Sequence, residues 1–172
     1  MNENRAATPD FGSHEFRQAL AQFATGVTII TTLAENGGML GITASSFNSV
    51  SLKPPLILWS LANCASSMST FCRNSRYIVN ILATDQLELC RRFSISKGNR
   101  FAGVSYTLSA SGIPILDGVL AWFECHNRNR YDGGDHVIFV GEVERCGINR
   151  TSHLQMPLIF HGGGFHKPQS LG

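Results

Sequence analysis

Charged residues are scarce in this chain. Asp, Glu, Lys and Arg make up 15% of its 172 residues, where about a quarter is usual, and 14 basic against 12 acidic residues leave a formal charge of +2. No basic run alternates with aromatic residues, and the densest basic group is Arg91, Arg92, Lys97 and Arg100. This pattern argues against nucleic acid as a partner. So weakly charged a surface also predicts at least a dimer, in which part of it is covered.

Long apolar runs and a secretory leader are also missing. No apolar stretch approaches the roughly 20 residues that a membrane-spanning helix needs, and the segment Met1 to Pro9 is polar. We therefore expect a cytoplasmic protein with no membrane partner. The five cysteines include no C-x-x-C pair, and in that compartment we expect them to be reduced and mostly buried.

The motifs of several enzyme classes are absent as well. Neither G-x-G-x-x-G after a strand nor G-x-x-x-x-G-K-[ST] occurs, which argues against a Rossmann dinucleotide site and a P-loop. The six histidines form no H-E-x-x-H pair and, with the cysteines, show no metal-ligand spacing, so no metal site is predicted. Without a G-x-S-x-G elbow, hydrolysis by a serine nucleophile is a weak candidate.

The chain does have enough apolar sequence for a folded core. Hydrophobic residues make up 43% of it, and no repeat or Pro/Gly/Ser linker divides it. The length predicts one domain. We place this domain at residues 11–167, between a flexible N-terminal tail at 1–10 and a C-terminal tail at 168–172.

Turn signals separate runs of β-forming residues. Asn36-Gly37-Gly38 lies between Val27–Thr32 and Met39–Ser45, and a turn at 131–135 lies between Val119–Arg130 and His136–Ile148. Each pair predicts a β-hairpin. Further strands are predicted at the apolar runs Leu56–Leu61, Tyr77–Leu82 and Pro157–Phe160.

Helix signals are fewer. An amphipathic helix is predicted from an N-cap at Ser13, with one apolar face made by Phe16, Ala19, Leu20 and Phe23. A second helix is predicted in Ser66–Arg73, and a third after a cap at Thr84, with a core-facing stripe of Leu87, Cys90 and Phe93. Many strands at hairpin spacing with two or three helices predict a mainly β fold, an antiparallel barrel or sandwich.

Three segments could hold a ligand, and each has a structural alternative. The small and hydroxyl residues of Gly41–Pro55 would let a flat ligand come close, or they form a Ser-rich edge strand. Asn63–Ser67 begins a helix, where free N–H groups favour an anion, or it is an ordinary cap. Gly134-Asp135-His136 places His136 at a hairpin mouth, either for a ligand or to complete a turn. Taken one by one, these segments leave both interpretations open.

Five motifs in a fixed order carry a resemblance to a known family. They are FRQALAQFATGVTIITT at 16–32, GITASSFNSVSLKPPLILWSL at 41–61, YIVNIL at 77–82, RFAGVSY at 100–106 and GDHVIFVGEV at 134–143. Together they resemble the flavin reductase family, the small reductase components of two-component flavin-dependent monooxygenases. The resemblance spans roughly residues 14–166. It implies an antiparallel split β-barrel of the Greek-key, FMN-binding type with a few flanking α-helices, assembled as a homodimer.

The resemblance also implies which residues bind cofactors. The flavin ring and ribityl chain would lie along the segment formed by Thr43, Ala44, Ser45 and Ser46. Asn63, Ser66 and Ser67 would hold the phosphate, with Arg100 and Phe101 near the phosphate and adenylate. The GDH segment supplies Gly134, Asp135 and His136, and His136 is the catalytic candidate associated with the nicotinamide. Phe165 completes the set, although it and Phe160 stand where many relatives have tyrosine, which puts a phenolic hydrogen bond there in doubt.

The implied function is reduction of FMN or FAD by NADH or NADPH, with the reduced flavin supplied to a separate oxygenase. Hydride transfer between two cofactors needs no protein acid or base, which suits a sequence without an obvious catalytic dyad. Two other functions stay open at this point. The chain could be a non-catalytic flavin-binding or electron-transfer protein on the same barrel, or a structural barrel with an empty cleft.

Overall fold

The computed structural model describes residues 8–95, 98–149 and 155–170. Most of the predicted N-terminal tail (1–7), Lys97 of the basic group and the last two residues of the C-terminal tail lie outside these ranges. The domain limits proposed from the sequence stay predictions.

Strands dominate the described residues, with three α-helices and a 3-10 helix at Thr84–Gln86 between them. The helices are α1 (Ser13–Leu20), α2 (Met68–Arg73) and α3 (Leu87–Ser94). The strands are β1 (Thr25–Gly26), β2 (Thr28–Leu33), β3 (Met39–Ala44), β4 (Asn48–Leu52), β5 (Pro55–Ala62), β6 (Arg76–Ile81), β7 (Tyr106–Leu108), β8 (Pro114–Leu116), β9 (Ala121–Asp132), β10 (His136–Ile148), β11 (Ile159–His161) and β12 (Gly164–His166).

Seven strands form one antiparallel sheet in the order β3-β2-β6-β9-β10-β5-β4. Both predicted hairpins are confirmed, since β2 pairs with β3 and β9 pairs with β10. Their turns contain Gly37 and Gly134 at φ +78° and +81°, a backbone conformation that favours glycine. The prediction of a mainly β, antiparallel fold with a few helices is therefore confirmed.

Hydrogen bonding does not close this sheet into a barrel, which corrects part of the fold prediction. β3 and β4 are its two edges and do not pair with each other. The chain passes between them through a loop in which the Ser46 hydroxyl donates to Ser60 O (3.1 Å) and accepts from Ser60 N (2.9 Å). This contact ties the loop to β5 and leaves β3 and β4 unpaired with each other. The sheet still curls, because Ile42 near one edge and Trp59 near the other belong to one buried cluster.

Aromatic rings fill the centre of that cluster. Trp59 is fully buried and stacks on Phe139 with 4.6 Å between ring centroids, while Tyr77 and Phe71 meet it edge-on. Fully burying one such side chain stabilises the fold by about 1.5–3 kcal/mol relative to exposure. A second cluster, containing Cys90, Phe93 and Phe101, lies where α3 packs on the sheet, as the helical stripe predicts.

The helix caps differ from the predictions. The N-cap residue of α1 is Gly12 rather than Ser13, and the 3-10 helix that precedes α3 begins after Ala83 rather than at a Thr84 cap. The Ala83 N–H donates to Gln86 Oε1 at 3.1 Å, so the side chain of Gln86 caps the start of the 3-10 helix. The apolar face of α1 also remains exposed, since no residue of this helix is buried.

The five cysteines are free thiols, as expected. The prediction that most are buried is wrong, because only Cys90 and Cys125 are buried, while Cys64 and Cys146 are exposed. Burial raises the pKa of the Cys90 and Cys125 thiols, which disfavours their reactive thiolate forms. None of the helices in the described ranges is long and apolar enough to cross a membrane.

Candidate functional site

Alternate residues of β3, and Ser45 just after it, border two cavities on one face of the sheet. Gly41, Thr43 and Ser45 lie two positions apart and so share a face, whereas Ile42 and Ala44 enter the opposite, aromatic core. Gly41 borders a polar cavity, and Thr43 and Ser45 border an apolar one. Small residues on one face of the strand thus border both cavities.

The apolar cavity has a volume of about 170 Å³ and a wall built from β3, α3 and the β11–β12 hairpin. The hydroxyl of Thr43 donates to Cys90 O at 2.7 Å, which fixes the side chain and leaves lone pairs on its oxygen. The rings of Phe160 and Phe165 form the other wall, with 5.3 Å between their centroids. Such a slot, apolar with a few fixed hydroxyls, fits a flat aromatic ring with a polar edge. The lining residues are Val27, Thr43, Ser45, Cys90, Ser94, Phe160 and Phe165.

The four predicted ring contacts divide into two groups. Thr43 and Ser45 line the apolar cavity. The side chain of Ala44 is buried in the sheet core, and the hydroxyl of Ser46 is committed to Ser60, so these two residues could reach a ring only through their backbone. Backbone contacts by this segment stay a prediction.

The polar cavity has a volume of about 230 Å³ and is lined by Met39, Leu40, Gly41, Ser66, Ser67, Gly98, Asn99, Arg100 and Phe101. The Arg100 guanidinium donates from Nη1 to Gly41 O at 2.5 Å, which holds the cation at the cavity wall. Partial burial lowers the pKa of Arg100 from its ordinary value, and an arginine still stays charged at neutral pH. A fixed guanidinium beside two serine hydroxyls fits a phosphate.

The predicted phosphate-binding residues are only partly brought together. Ser66 and Ser67 share the polar cavity with Arg100 and Phe101, although α2 begins at Met68, after both serines. Asn63 points elsewhere: its Nδ2 donates to Gly134 O and its backbone N–H to Asp135 O, both at 2.9 Å. A phosphate role for Asn63 is untested, and the structure gives its amide a different partner.

His136 begins β10 beside this hydrogen-bonded turn. Its Nδ1 lies 2.6 Å from Asp135 Oδ1, and its side chain is 44% exposed. The hydrogen bond from His136 is the main cause of a lowered pKa at Asp135, whose carboxylate is thereby favoured. A charged Asp135 accepts from Nδ1–H, so Nε2 is the ring nitrogen of His136 that this contact leaves over.

Sequence reasoning missed several lining residues. Val27, Cys90 and Ser94 come from core elements, and Met39 and Leu40 from the hairpin strand; none of them belongs to a polar motif. Among the missed residues, Asn99 could have been predicted as a lining residue, because it directly precedes Arg100 in the sequence. Its Oδ1 accepts from Phe101 N–H at 3.1 Å and so shapes the loop.

The open antiparallel sheet carries an apolar slot and a cation-lined cavity along one strand, an arrangement that suits a flat ring carrying a phosphate. A family model described as "Flavin reductase like domain" matches residues 20–169. The chain belongs to this family.

Similar proteins agree with this assignment. The chain is 40% identical over 153 residues to the "FMN reductase (NADH) SmoA" of Agrobacterium fabrum, covering 89% of this chain and 84% of the relative. It is 40% identical over 154 residues to the reductase component of the flavin-dependent trigonelline monooxygenase of Acinetobacter baylyi, covering 90% of this chain and about half (48%) of that relative. Among solved structures, the Streptomyces globisporus NADH:FAD oxidoreductase SgcE6, in complex with NAD and FAD fragments, matches with a TM-score of 0.85 and 31% identity, covering 92% of this chain and 94% of that one.

Proposed function

We propose that this protein is an NAD(P)H-dependent flavin reductase that supplies reduced FMN or FAD to the oxygenase component of a two-component monooxygenase. One observation carries the proposal. Thr43 and Ser45 line an apolar slot, and Gly41, on the same face of β3, lines a polar cavity together with Arg100. A flavin has the matching order of groups, an aromatic ring followed by a polar chain and a phosphate. The names of the relatives support both the flavin and the nicotinamide donor.

The residues present fit a flavin by their chemistry. The slot between Thr43 and the Phe160–Phe165 pair would hold the ring, and the Arg100 guanidinium with the hydroxyls of Ser66 and Ser67 would hold the phosphate. A bound flavin would supply N5 as the acceptor of the nicotinamide hydride, with a proton from solvent balancing the two-electron reduction.

In this proposal, the chain contributes orientation rather than acid–base chemistry. His136, held by Asp135 through Nδ1, would offer Nε2 to the nicotinamide and so help to position the donor. The loop that carries His136 is held by Asn63. Substitutions in this set should therefore change the binding of the donor more than they change a proton transfer.

The proposal extends to assembly and location. The chain would form a homodimer in the cytoplasm, where NAD(P)H is available, and the curled sheet of each copy would act as an incompletely closed split barrel of the Greek-key type. Large apolar side chains outside the two cavities support an assembly, among them Leu52, 90% exposed, and Ile148, 72% exposed. The mass in solution, measured by sedimentation equilibrium, tests the dimer.

Anaerobic absorbance of the flavin tests the function. FMN or FAD is mixed with the protein, NADH and then NADPH are added, and the visible flavin band is followed for the wild type, His136→Ala and the control His126→Ala. We expect rapid bleaching by wild type and control and slower bleaching by His136→Ala. Flavin binding without bleaching by either nucleotide would overturn the reductase and favour a flavin carrier. If neither flavin raises the melting temperature, no flavin site exists in the folded protein.

A further inference from the structure

Two adjoining cavities lie at the far end of β2 from the ring slot. The larger, of about 460 Å³, is mostly polar and lies between β6, β10 and the β7–β8 turn. The smaller, of about 220 Å³, has apolar lining from Leu33, Ala34 and Ile113. Arg76 and Ser111 line both, so the cavities form one cleft with a charged end and an apolar end. Among the described residues, none that lines this cleft also lines the ring slot or the polar cavity of Arg100.

A two-pronged ion pair forms part of the charged end. Arg76 Nε donates to Glu144 Oε2 at 2.7 Å, and Arg76 Nη2 donates to Glu144 Oε1 at 3.0 Å. These bonds lower the pKa of Glu144, so its carboxylate is charged at neutral pH. A carboxylate has about four acceptor positions, and the side chain of Glu144 is 37% exposed. Glu144 can therefore still accept a hydrogen bond from a ligand.

Arg145, at the same end, keeps its hydrogen-bonding capacity. Its Nη1 lies 3.5 Å from Oε2 of Glu124, and that oxygen has no hydrogen-bond partner. Glu124 is only 1% exposed, and its Oε1 accepts from Ser109 Oγ at 2.9 Å, which fixes the buried carboxylate next to Arg145. The buried charge thus holds Arg145 at the cleft by attraction alone. Within the described ranges, neither the Arg145 guanidinium nor the Ser111 hydroxyl forms a hydrogen bond, so both can donate to a ligand.

The balance of charge decides which ligand suits the cleft. The charged end has two guanidinium groups and two carboxylates, those of Arg76, Arg145, Glu124 and Glu144. A simple anion would meet both carboxylates, and a simple cation would meet both guanidinium groups. A zwitterion avoids both repulsions, because its carboxylate can accept from Arg145 while its ammonium donates to Glu144. The apolar end would then receive a hydrocarbon side chain.

We infer that this cleft binds a small zwitterion of the aliphatic α-amino acid class. The ligand carboxylate would accept from Arg145 and Ser111, and its ammonium would donate to Glu144. Its side chain would lie against Leu33 and Ile113. The site is separate from the proposed flavin site, and the inference does not depend on flavin reduction.

Calorimetric titration with L-leucine and two analogues tests the charge requirement. Isocaproate keeps the carboxylate and side chain of leucine but lacks the ammonium, and isoamylamine keeps the ammonium but lacks the carboxylate. We expect L-leucine to bind and each analogue to bind at least about tenfold more weakly, because each loses one charge-assisted contact. Equal affinity for either analogue would overturn the inference, and so would the absence of L-leucine binding at millimolar concentrations.

Charge-removing variants test the location. Arg145→Gln and Glu144→Gln should each weaken L-leucine about tenfold. Arg128→Gln and Glu142→Gln are the matched controls, since Arg128 and Glu142 form an ion pair of similar exposure on the same two strands, and neither should weaken binding.

A second variant guards against loss of the fold. Arg145→Gln leaves the buried Glu124 without its partner, so the double variant Glu124→Gln/Arg145→Gln, which removes both charges, is measured beside it. We expect the double variant to weaken L-leucine as much as Arg145→Gln does. Wild-type affinity in the double variant would overturn the assignment of the ligand carboxylate to Arg145.

The polar cavity of Arg100 is the alternative place for L-leucine, because it also has an arginine and two serines. Arg100→Ala should leave the affinity for L-leucine unchanged. A tenfold loss in Arg100→Ala, with no loss in Arg145→Gln, would overturn the inference. The titrations contain neither flavin nor nicotinamide, so their result and the bleaching result fail independently.

Discussion

Asn63 holds the hairpin turn that carries His136 through its hydrogen bond to Gly134. The distance from Asn63 Nδ2 to Gly134 O is 2.9 Å, and Asn63 N–H also donates to Asp135 O at 2.9 Å. These two bonds join the end of β5 to the start of β10, beyond the last strand pair, His136 with Ala62. Asn63 therefore positions a residue proposed to contact the donor, although Asn63 itself lies in another loop.

Asn63→Ala should loosen the His136 turn. The variant keeps the backbone bond but loses the amide bond, so we expect the KM for NADH to rise about threefold to tenfold, with kcat changed less. The free energy of unfolding should fall by only about 1 kcal/mol, because the lost bond is exposed. Asn36→Ala, which removes a similar amide contact to Gly38 in the β2–β3 turn, is the control and should leave KM unchanged.

Arg100→Ala should weaken flavin binding. Loss of a charge-assisted bond to phosphate costs about 1.5–3 kcal/mol, so the Kd for FMN, measured by fluorescence quenching, should rise at least about tenfold. Arg91→Ala removes an exposed arginine paired with Glu88 on α3 and should have no such effect. Equal Kd values for the two variants would show that Arg100 does not contact the phosphate.

Gly41→Ala should destabilise the protein. An added Cβ would lie 2.6 Å from Phe93 Cε1 and 3.4 Å from Phe101 Cζ, inside the second core. Overpacking of this kind costs about 1–3 kcal/mol, which urea denaturation would detect as a lower midpoint. Gly26→Ala is the matched control, since its Cβ would meet nothing within 4 Å and its free energy of unfolding should change by less than about 0.5 kcal/mol.

Glu144 should make stability depend on acid pH. The hydrogen bond from Arg76 holds the pKa of Glu144 below its ordinary 4.5, so this carboxylate stabilises the fold above that pH. The contribution is lost as the pH falls through the lower folded-state pKa. Urea midpoints should therefore be higher for wild type than for Glu144→Gln at neutral pH and converge in acid. High salt should shrink the neutral-pH difference, because both side chains are partly exposed.

The thiols should react in order of exposure. Cys64 and Cys146 should be modified rapidly by a disulfide reagent at neutral pH, whereas the buried Cys90 and Cys125, whose pKa values are raised, should react only on unfolding. Counting the released chromophore before and after adding denaturant checks this. Rapid native modification of Cys125 would contradict its burial in the aromatic core.

Local signals predicted most of the strands, and tertiary contacts decided what they missed. Turn glycines such as Gly37, between β-branched runs, predicted the hairpins. The pairing of β9 with β10 was predicted from two long extended runs on either side of a turn. By contrast, β7 and β8 are three residues each, too short for a periodic pattern. Phe23 has the spacing of a core residue and is nevertheless exposed, because periodicity shows that a face is apolar but not what covers it.

The motifs predicted which residues line the candidate site better than they predicted the hydrogen bonds between those residues. Ser66 and Arg100 do line one cavity. Because they are more than thirty residues apart in the sequence, only the resemblance could place them together. The partner of Asn63 was not predicted, since a loop amide has many possible acceptors and only the paired strands bring Gly134 within reach.

The stacking of Trp59 on Phe139 also gives the protein an internal optical reporter. The chain has two tryptophans, and Trp59 is shielded from water at the centre of the sheet, while Trp122 is half-buried against Gly147. Emission from the buried indole falls where oxidised flavins absorb, so a flavin bound nearby would quench it by energy transfer. Each arrival and departure of flavin would then register as a change in intrinsic fluorescence, with no label attached to the protein.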